Sequence, residues 1–219
     1  MLVGNRMSHP VITVYPDMLL QDALDLMHKE RIRRLPVVDH RGKLIGIVSE
    51  RVLLKAYPSD ATSLSVWEMR SIMKKVTIEE FLTRQVITVT EDTPIEEAAR
   101  IMTDNRISGL PVMRDDKLVG FITETDIFKI FLEVMGARDP GVRITAEAIK
   151  KPGVLASITK AVYELGGDIT ALGTFSGESS ESAEILIKID CIDSSKVVEA
   201  ITPFVEKIMD VRGTPSQVD

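Results

Sequence analysis

Hydrophobic and polar positions follow one order along the first part of the chain, and that order then returns. Residues 11–14 form a β-branched run, after which apolar residues recur at Leu20, Ala23, Leu24 and Met27. That i, i+3, i+4, i+7 spacing predicts a helix with one buried face. Two apolar runs follow, 35–39 and 43–49, parted by the polar turn His40-Arg41-Gly42 as in a hairpin, and a short helix over 50–56 closes the set. The second copy has a run at 86–89, a stripe at Ile95, Ala98, Ala99 and Met102, runs at 110–113 and 117–123 around Asp115-Asp116, and a helix over 124–135. Thr93-Pro94-Ile95-Glu96 predicts an N-cap threonine, a proline at the first helical position and a capping-box glutamate. Each copy therefore reads β-α-β-β-α.

Residue identities support the duplication. VITV at 11–14 returns at 86–89, Ala23 and Met27 return as Ala98 and Met102, and Leu35-Pro36-Val37 returns as Leu110-Pro111-Val112. Two such units predict a face-to-face, pseudo-symmetric pair with a seam where a ligand can sit. The first copy is assigned to residues 1–60 with a leader at its start, and the second to 77–138. Between them, Val66, Met69, Ile72, Met73 and Val76 predict a connecting helix within 61–76.

After the break Asp139-Pro140-Gly141 the pattern changes. Strands over 142–149, 169–175, 183–191 and 207–212 and helices over 154–164 and 194–206 predict a third domain at 141–213, with a tail at 214–219. Its order is β-α-β-β-α-β, the split, ferredoxin-like arrangement. The fold class is α+β, built from α/β sandwiches.

Composition narrows the function. The 219 residues carry a formal charge of -6 with 44% hydrophobic content, which suits a globular core and gives no overall attraction to nucleic acid or an anionic membrane. The single cysteine, Cys191, lies in an apolar run, so a buried inert thiol and a reducing, cytoplasmic setting are expected. No apolar run approaches the roughly 20 residues of a membrane span, and residues 1–10 lack the apolar core of a signal peptide. His9, His28 and His40 have no partners at metal-ligand spacing, and no hydrolase, metalloprotease or P-loop pattern occurs. Neither catalytic residues nor metal ligands can be assigned.

Binding chemistry concentrates in the second copy. Gly120-Phe121-Ile122-Thr123-Glu124-Thr125-Asp126 sets a hydroxyl and a carboxylate three positions apart at a helix start. There Thr123 can meet phosphate while Asp126 grips ribose hydroxyls, or the two can simply cap the helix. The first copy keeps the hydroxyl at Ser49 but has Val52 in place of the carboxylate. Losing one hydrogen bond to a charged group costs about 1.5–3 kcal/mol, which predicts one good site rather than two. Arg33-Arg34 before Leu35 reads either as a phosphate-neutralising pair or as an exposed basic turn.

The paired β-α-β-β-α units, with their L-P-V strands and G-h-h-(T/S) turns, resemble the CBS domain family. Pairs of such domains, often called Bateman modules, commonly bind adenine nucleotides or related adenosyl compounds. The resemblance implies a regulatory ligand such as AMP, ADP or ATP and no cofactor. Thr123 would lie at phosphate or ribose and Asp126 at the ribose hydroxyls, with Ile87, Thr88, Ile107, Ser108, Gly109 and Pro111 lining the base pocket. The third domain resembles the ACT family through Pro152-Gly153-Val154-Leu155 and Gly166-Gly167-Asp168-Ile169. Family members often bind amino acids, which would point to Gly153, Val154, Leu155, Asp168 and Ile169. Lys150 and Asp168 replace the usual Asp and Asn, so dimerisation alone is an equal reading. Two CBS repeats followed by an ACT-like domain resemble the acetoin-utilisation protein B family. The combined expectation is a non-catalytic, cytoplasmic regulator, homodimeric or larger, signalling through oligomerisation or a partner enzyme; the alternatives are a ligand-free structural or adaptor module that mediates oligomerisation, which Val52 favours and Asp126 opposes, and an amino-acid sensor acting through the ACT-like domain.

Overall fold

The computed structural model describes residues 1–56, 75–190 and 193–214. The expected connecting helix, except for its last two residues, lies outside this range, as do Cys191 and the tail. Two compact units divide the chain, Met1–Ile127 and Phe128–Asp219.

In the first unit, α1 (Leu20–Glu30) lays Leu20, Ala23, Leu24 and Met27 on the core, as its stripe requires. Arg31 ends it in the left-handed conformation, at φ 54°. The hairpin β1 (Arg34–Val38) and β2 (Leu44–Ser49) follows, then α2 (Glu50–Lys55). The second copy supplies β3 (Val89–Thr90), α3 (Ile95–Asn105), β4 (Gly109–Arg114), β5 (Lys117–Thr123) and α4 (Glu124–Val134). Arg106 ends α3 as Arg31 ends α1, at φ 53°.

Two local expectations fail here. The opening strand shrinks to a single bridge, Val14 to Val37, in copy 1 and to the two residues of β3 in copy 2. In copy 1 Val14 spends both its backbone groups on β1, and Pro16, lacking an N–H, cannot extend the ladder. Thr93 does not cap α3. Its Oγ1 instead accepts the Thr90 N–H at 3.1 Å, and the helix starts one residue after Pro94 with no side-chain cap.

Residues 1–8, expected as a leader, instead bond to the second copy. Val3 N–H donates to Thr93 O, Gly4 N–H to Glu91 O, and Ile95 N–H to Met1 O. Shifted by 75 positions, the same bonds recur as Ile78 to Met18, Glu79 to Pro16, and Leu20 to Val76. Bridges Ser8 to Phe121 and Thr83 to Ile47 complete the match. Residues 1–8 thus belong to the repeat, and each copy's first segment packs on the other copy. Val3 and Ile78 are both 0% exposed, and Ile78 joins the core of Leu24, Met27, Leu35, Val48 and Leu53.

The glycine of each G-h-h-(T/S) turn makes room for these crossings. A Cβ on Gly120 would press on the Met7 sulfur and lie 2.8 Å from its Cγ. One on Gly46 would lie 3.1 Å from the Thr83 carbonyl oxygen and 3.3 Å from Leu82 Cβ.

The second unit is a four-stranded antiparallel sheet of β6 (Gly141–Ile149), β7 (Asp168–Ser176), β8 (Ser182–Asp190) and β9 (Lys207–Thr214), in the order β7-β8-β6-β9. That order, with α5 (Val154–Glu164) and α6 (Ser194–Ile201), is the split β-α-β arrangement. Ile144, Ala148, Ile185, Ile187 and Ile189 pack with Ile158, Val162, Val197 and Ile201 on one face. Helix α6 stops short of residue 206 because Pro203, in the 3-10 turn Thr202–Phe204, cannot continue it.

Ile78→Ala is expected to destabilise the first unit by about 2–5 kcal/mol, the range for truncating a buried isoleucine. Urea denaturation of the full chain measures it. A loss no greater than that of an exposed substitution would mean that the crossing segment contributes nothing to the core.

Candidate functional site

Most of the second copy's candidate residues are gathered at one end of the β3-β4-β5 sheet. Gly109 stands opposite Thr123 and Pro111 opposite Phe121 in the antiparallel β4-β5 pair, while Val89 lies beside Val112 in parallel β3-β4. Ile87 and Thr88 therefore enter along the start of β4, and both are exposed. The left-handed Arg106 returns the Ile107 N–H to Met102 O at 2.9 Å, turning the chain from α3 directly into this edge. Ile107 and Ser108 are half-buried; Gly109 and Pro111 are buried.

Thr123 and Asp126 form a reciprocal pair at the head of α4. The Thr123 hydroxyl donates to Asp126 Oδ2 at 2.6 Å and its backbone N–H donates to the same oxygen at 3.0 Å. The Asp126 N–H returns a bond to Thr123 Oγ1 at 3.3 Å. The capping reading of the sequence is therefore realised. It also holds the half-buried carboxylate at the sheet edge in one orientation, as a ligand grip needs.

The first copy repeats the frame without that grip. Glu50 N–H donates to Arg33 O at 3.0 Å as Glu124 N–H donates to Ser108 O at 3.2 Å. Ser49 precedes α2 with no side-chain cap, and Val52 is exposed where Asp126 stands in copy 2. Glu50 Oε1 instead lies 3.1 Å from His28 Nε2.

The two arginines separate. Arg33 is exposed, whereas Arg34 is half-buried and its guanidinium donates across the copies to Ser108 Oγ. Burial lowers the Arg34 pKa from its ordinary value; Glu124 opposes that shift and Arg33 adds to it. The sequence named Arg34 and Ser108 separately, and nothing in the spacing revealed that they meet. Glu124, near enough to act on Arg34, was missed.

In the second unit, Gly153 turns at φ 94° into α5, with Val154 buried and Leu155 exposed. Beside this turn is a hollow of about 550 Å³, lined by Lys150, Gly153, Val154, Leu155 and Phe175 among others. Asp168 and Ile169 are not part of it. Strand β7 meets the hollow through Thr174, Phe175 and Ser176, while Asp168 and Ile169 pair with Asp190 and Ile189 at the strand's other end. Grouping them with the Pro152-Gly153 turn ignored the antiparallel register. Among the described residues no group of three His, Cys, Asp or Glu could hold a metal ion, and no helix is long and apolar enough to cross a membrane.

The profile of the CBS domain matches residues 3–59 and 78–133. The CBS domain pair of protein MJ0100, solved in complex with 5'-methylthioadenosine and S-adenosyl-L-methionine, is 36% identical with a TM-score of 0.50, covering 60% of this chain and 95% of that one. A Vibrio cholerae structure described as an acetoin utilization protein (AcuB) is 32% identical with a TM-score of 0.52, covering 64% and 98%. CBSX2 in complex with AMP is 28% identical with a TM-score of 0.51, covering 61% and 97%. The L-aspartate semialdehyde sulfurtransferase of Methanocaldococcus jannaschii is 36% identical over 131 residues, 59% of this chain but only 23% of that enzyme. These likenesses fall on the paired repeats whose crossing segments and Thr123-Asp126 turn were described above, and the chain belongs to the CBS domain family.

Proposed function

We propose that the chain is a non-catalytic, cytoplasmic regulator that senses an adenosyl compound in the cleft between its two CBS copies, the candidates being AMP, ADP, ATP and S-adenosylmethionine. The observation that carries this reading is the Thr123-Asp126 pair, fixed at the head of α4 beside Ser108 and Gly109. In this reading Asp126 grips the ribose hydroxyls, Thr123 faces ribose or phosphate, and the edge formed by Ile87, Thr88, Ile107 and Pro111 takes the base. Binding of an adenosyl ligand or of AMP by related CBS pairs supports it. Arg34 reaches the same edge from the first copy, and Arg33 presents an exposed cation next to it. The ligand acts by shifting the population between arrangements of the copies, and only by its difference in affinity for them. The response passes to a partner enzyme or to the oligomeric state, of which a homodimer is the simplest.

A second reading takes an amino acid at an ACT-like third domain. The hollow at the Gly153 turn favours it, with Lys150 and Lys151 at its wall suited to a carboxylate.

Thermal unfolding with AMP, ADP, ATP, adenosine, S-adenosylmethionine and amino acids tests both. A ligand at 100 times its dissociation constant is expected to add about 2.7 kcal/mol; no shift with any adenosyl compound would sink the sensor reading. Asp126→Ala is expected to abolish most of that shift while Val52→Ala leaves it intact, and equal losses would assign the site to the wrong copy. Arg33→Ala is expected to weaken ATP more than adenosine in titration calorimetry. An unchanged ratio of the two affinities would remove Arg33 from the phosphate site.

A further inference from the structure

Lys188 comes from the middle of β8 and is only 3% exposed. It lies on the sheet face opposite α5 and α6, beside buried Leu186 and across from buried Ala171. Its ammonium donates to Gly136 O at 2.6 Å and to Asp139 O at 2.5 Å. Both acceptors lie just past the end of α4. The helix closes there with Gly136 at φ 56°, the Gly136 N–H on Glu133 O and the Ala137 N–H on Leu132 O, both at 2.9 Å. This 6-to-1 closure is a Schellman-type stop with glycine in the left-handed position.

A buried ammonium is costly unless it is fully engaged, and an aliphatic side chain would have packed on Leu186 and Ala171 at no such cost. What lysine adds is position, because it fixes the segment after α4 to one point on the sheet. The head of the same helix carries Thr123 and Asp126. Helix α4 has 11 residues, about 16 Å of continuous hydrogen-bonded backbone, beginning in the first unit and ending in the second.

We infer that Lys188 is the joint through which the second unit reads ligand occupancy at the head of α4. The inference rests on the sensor reading of that site. A ligand gripping the first turn of α4 alters how firmly the helix is held, and the clamp on the Gly136 and Asp139 carbonyls just beyond it passes that change into β8 and its neighbours β6 and β7.

Hydrogen-exchange mass spectrometry on the full chain tests this, with AMP in one arm and S-adenosyl-L-methionine in the other, for the wild type and for Lys188→Met. In the wild type, ligand at 100 times its dissociation constant is expected to slow the most protected amides of the first unit by about 100-fold. Amides of β6 and β8 are expected to slow several-fold as well. In Lys188→Met the first unit keeps its response and β6 and β8 lose theirs. If Lys188→Met exchanges throughout the second unit without ligand, Gly136→Ala replaces it, since it strains the same stop from the helix side and leaves the lysine in place. Wild-type protection confined to the first unit would overturn the joint and leave the sensor standing. An equal response of β6 and β8 in wild type and variant would exclude Lys188 as the route. No protection anywhere with either ligand would remove the sensor reading and the joint together.

Discussion

The first unit depends on an exchange of short segments between its two copies. Residues 1–8 complete the second copy and residues 75–83 complete the first, through matching backbone bonds and the fully buried Val3 and Ile78. Neither β-α-β-β-α core is closed by its own residues. The glycines at 46 and 120 follow from that exchange, because each sits under the partner segment, where a Cβ on Gly120 would collide with Met7 and one on Gly46 would be crowded by Leu82 and Thr83. A motif that could be taken for a binding loop therefore begins with a packing requirement, three residues before Ser49 in one copy and Thr123 in the other.

Helices were legible because their stripes are unambiguous: Leu20, Ala23, Leu24 and Met27 face the core as the period demands. The hairpins were legible from their polar turns, and the third domain from its order of strands and helices. The crossing segments were not, since a 3-10 turn of three or four residues has too little length to show a period. A signal was present all the same: at the offset of the two copies, Val3 falls on Ile78, Met7 on Leu82 and Ser8 on Thr83. Each pair conserves character without identity, and an alignment begun at residue 11 passes them by. The helix over 194–206 was read too long because apolar spacing outweighed Pro203, whose missing N–H ends it.

The site was legible in its parts but not in its assembly. Thr123 and Asp126 announce themselves by spacing, and the structure joins them by three hydrogen bonds. Arg34 and Ser108 lie 74 positions apart, and only folding shows that one donates to the other. The duplication first suggests two equal sites, yet each copy contributes something different: an ordered carboxylate from the second, a half-buried cation from the first. Asp168 shows the opposite error, in which residues close to a motif in sequence lie at the far end of a strand from it.

The segment exchange also governs where damage appears. In a protein whose copies closed on themselves, a lesion would loosen the copy that carries it. Here a change at Val3 or Met7 weakens the copy that holds Thr123 and Asp126, although both positions belong to the opening segment of the first copy. A change at Ile78 weakens the copy that holds Arg34. If the proposed sensor reading holds, variation near the start of the chain would thus be read out as altered ligand response, and the two halves cannot diverge in stability independently of each other.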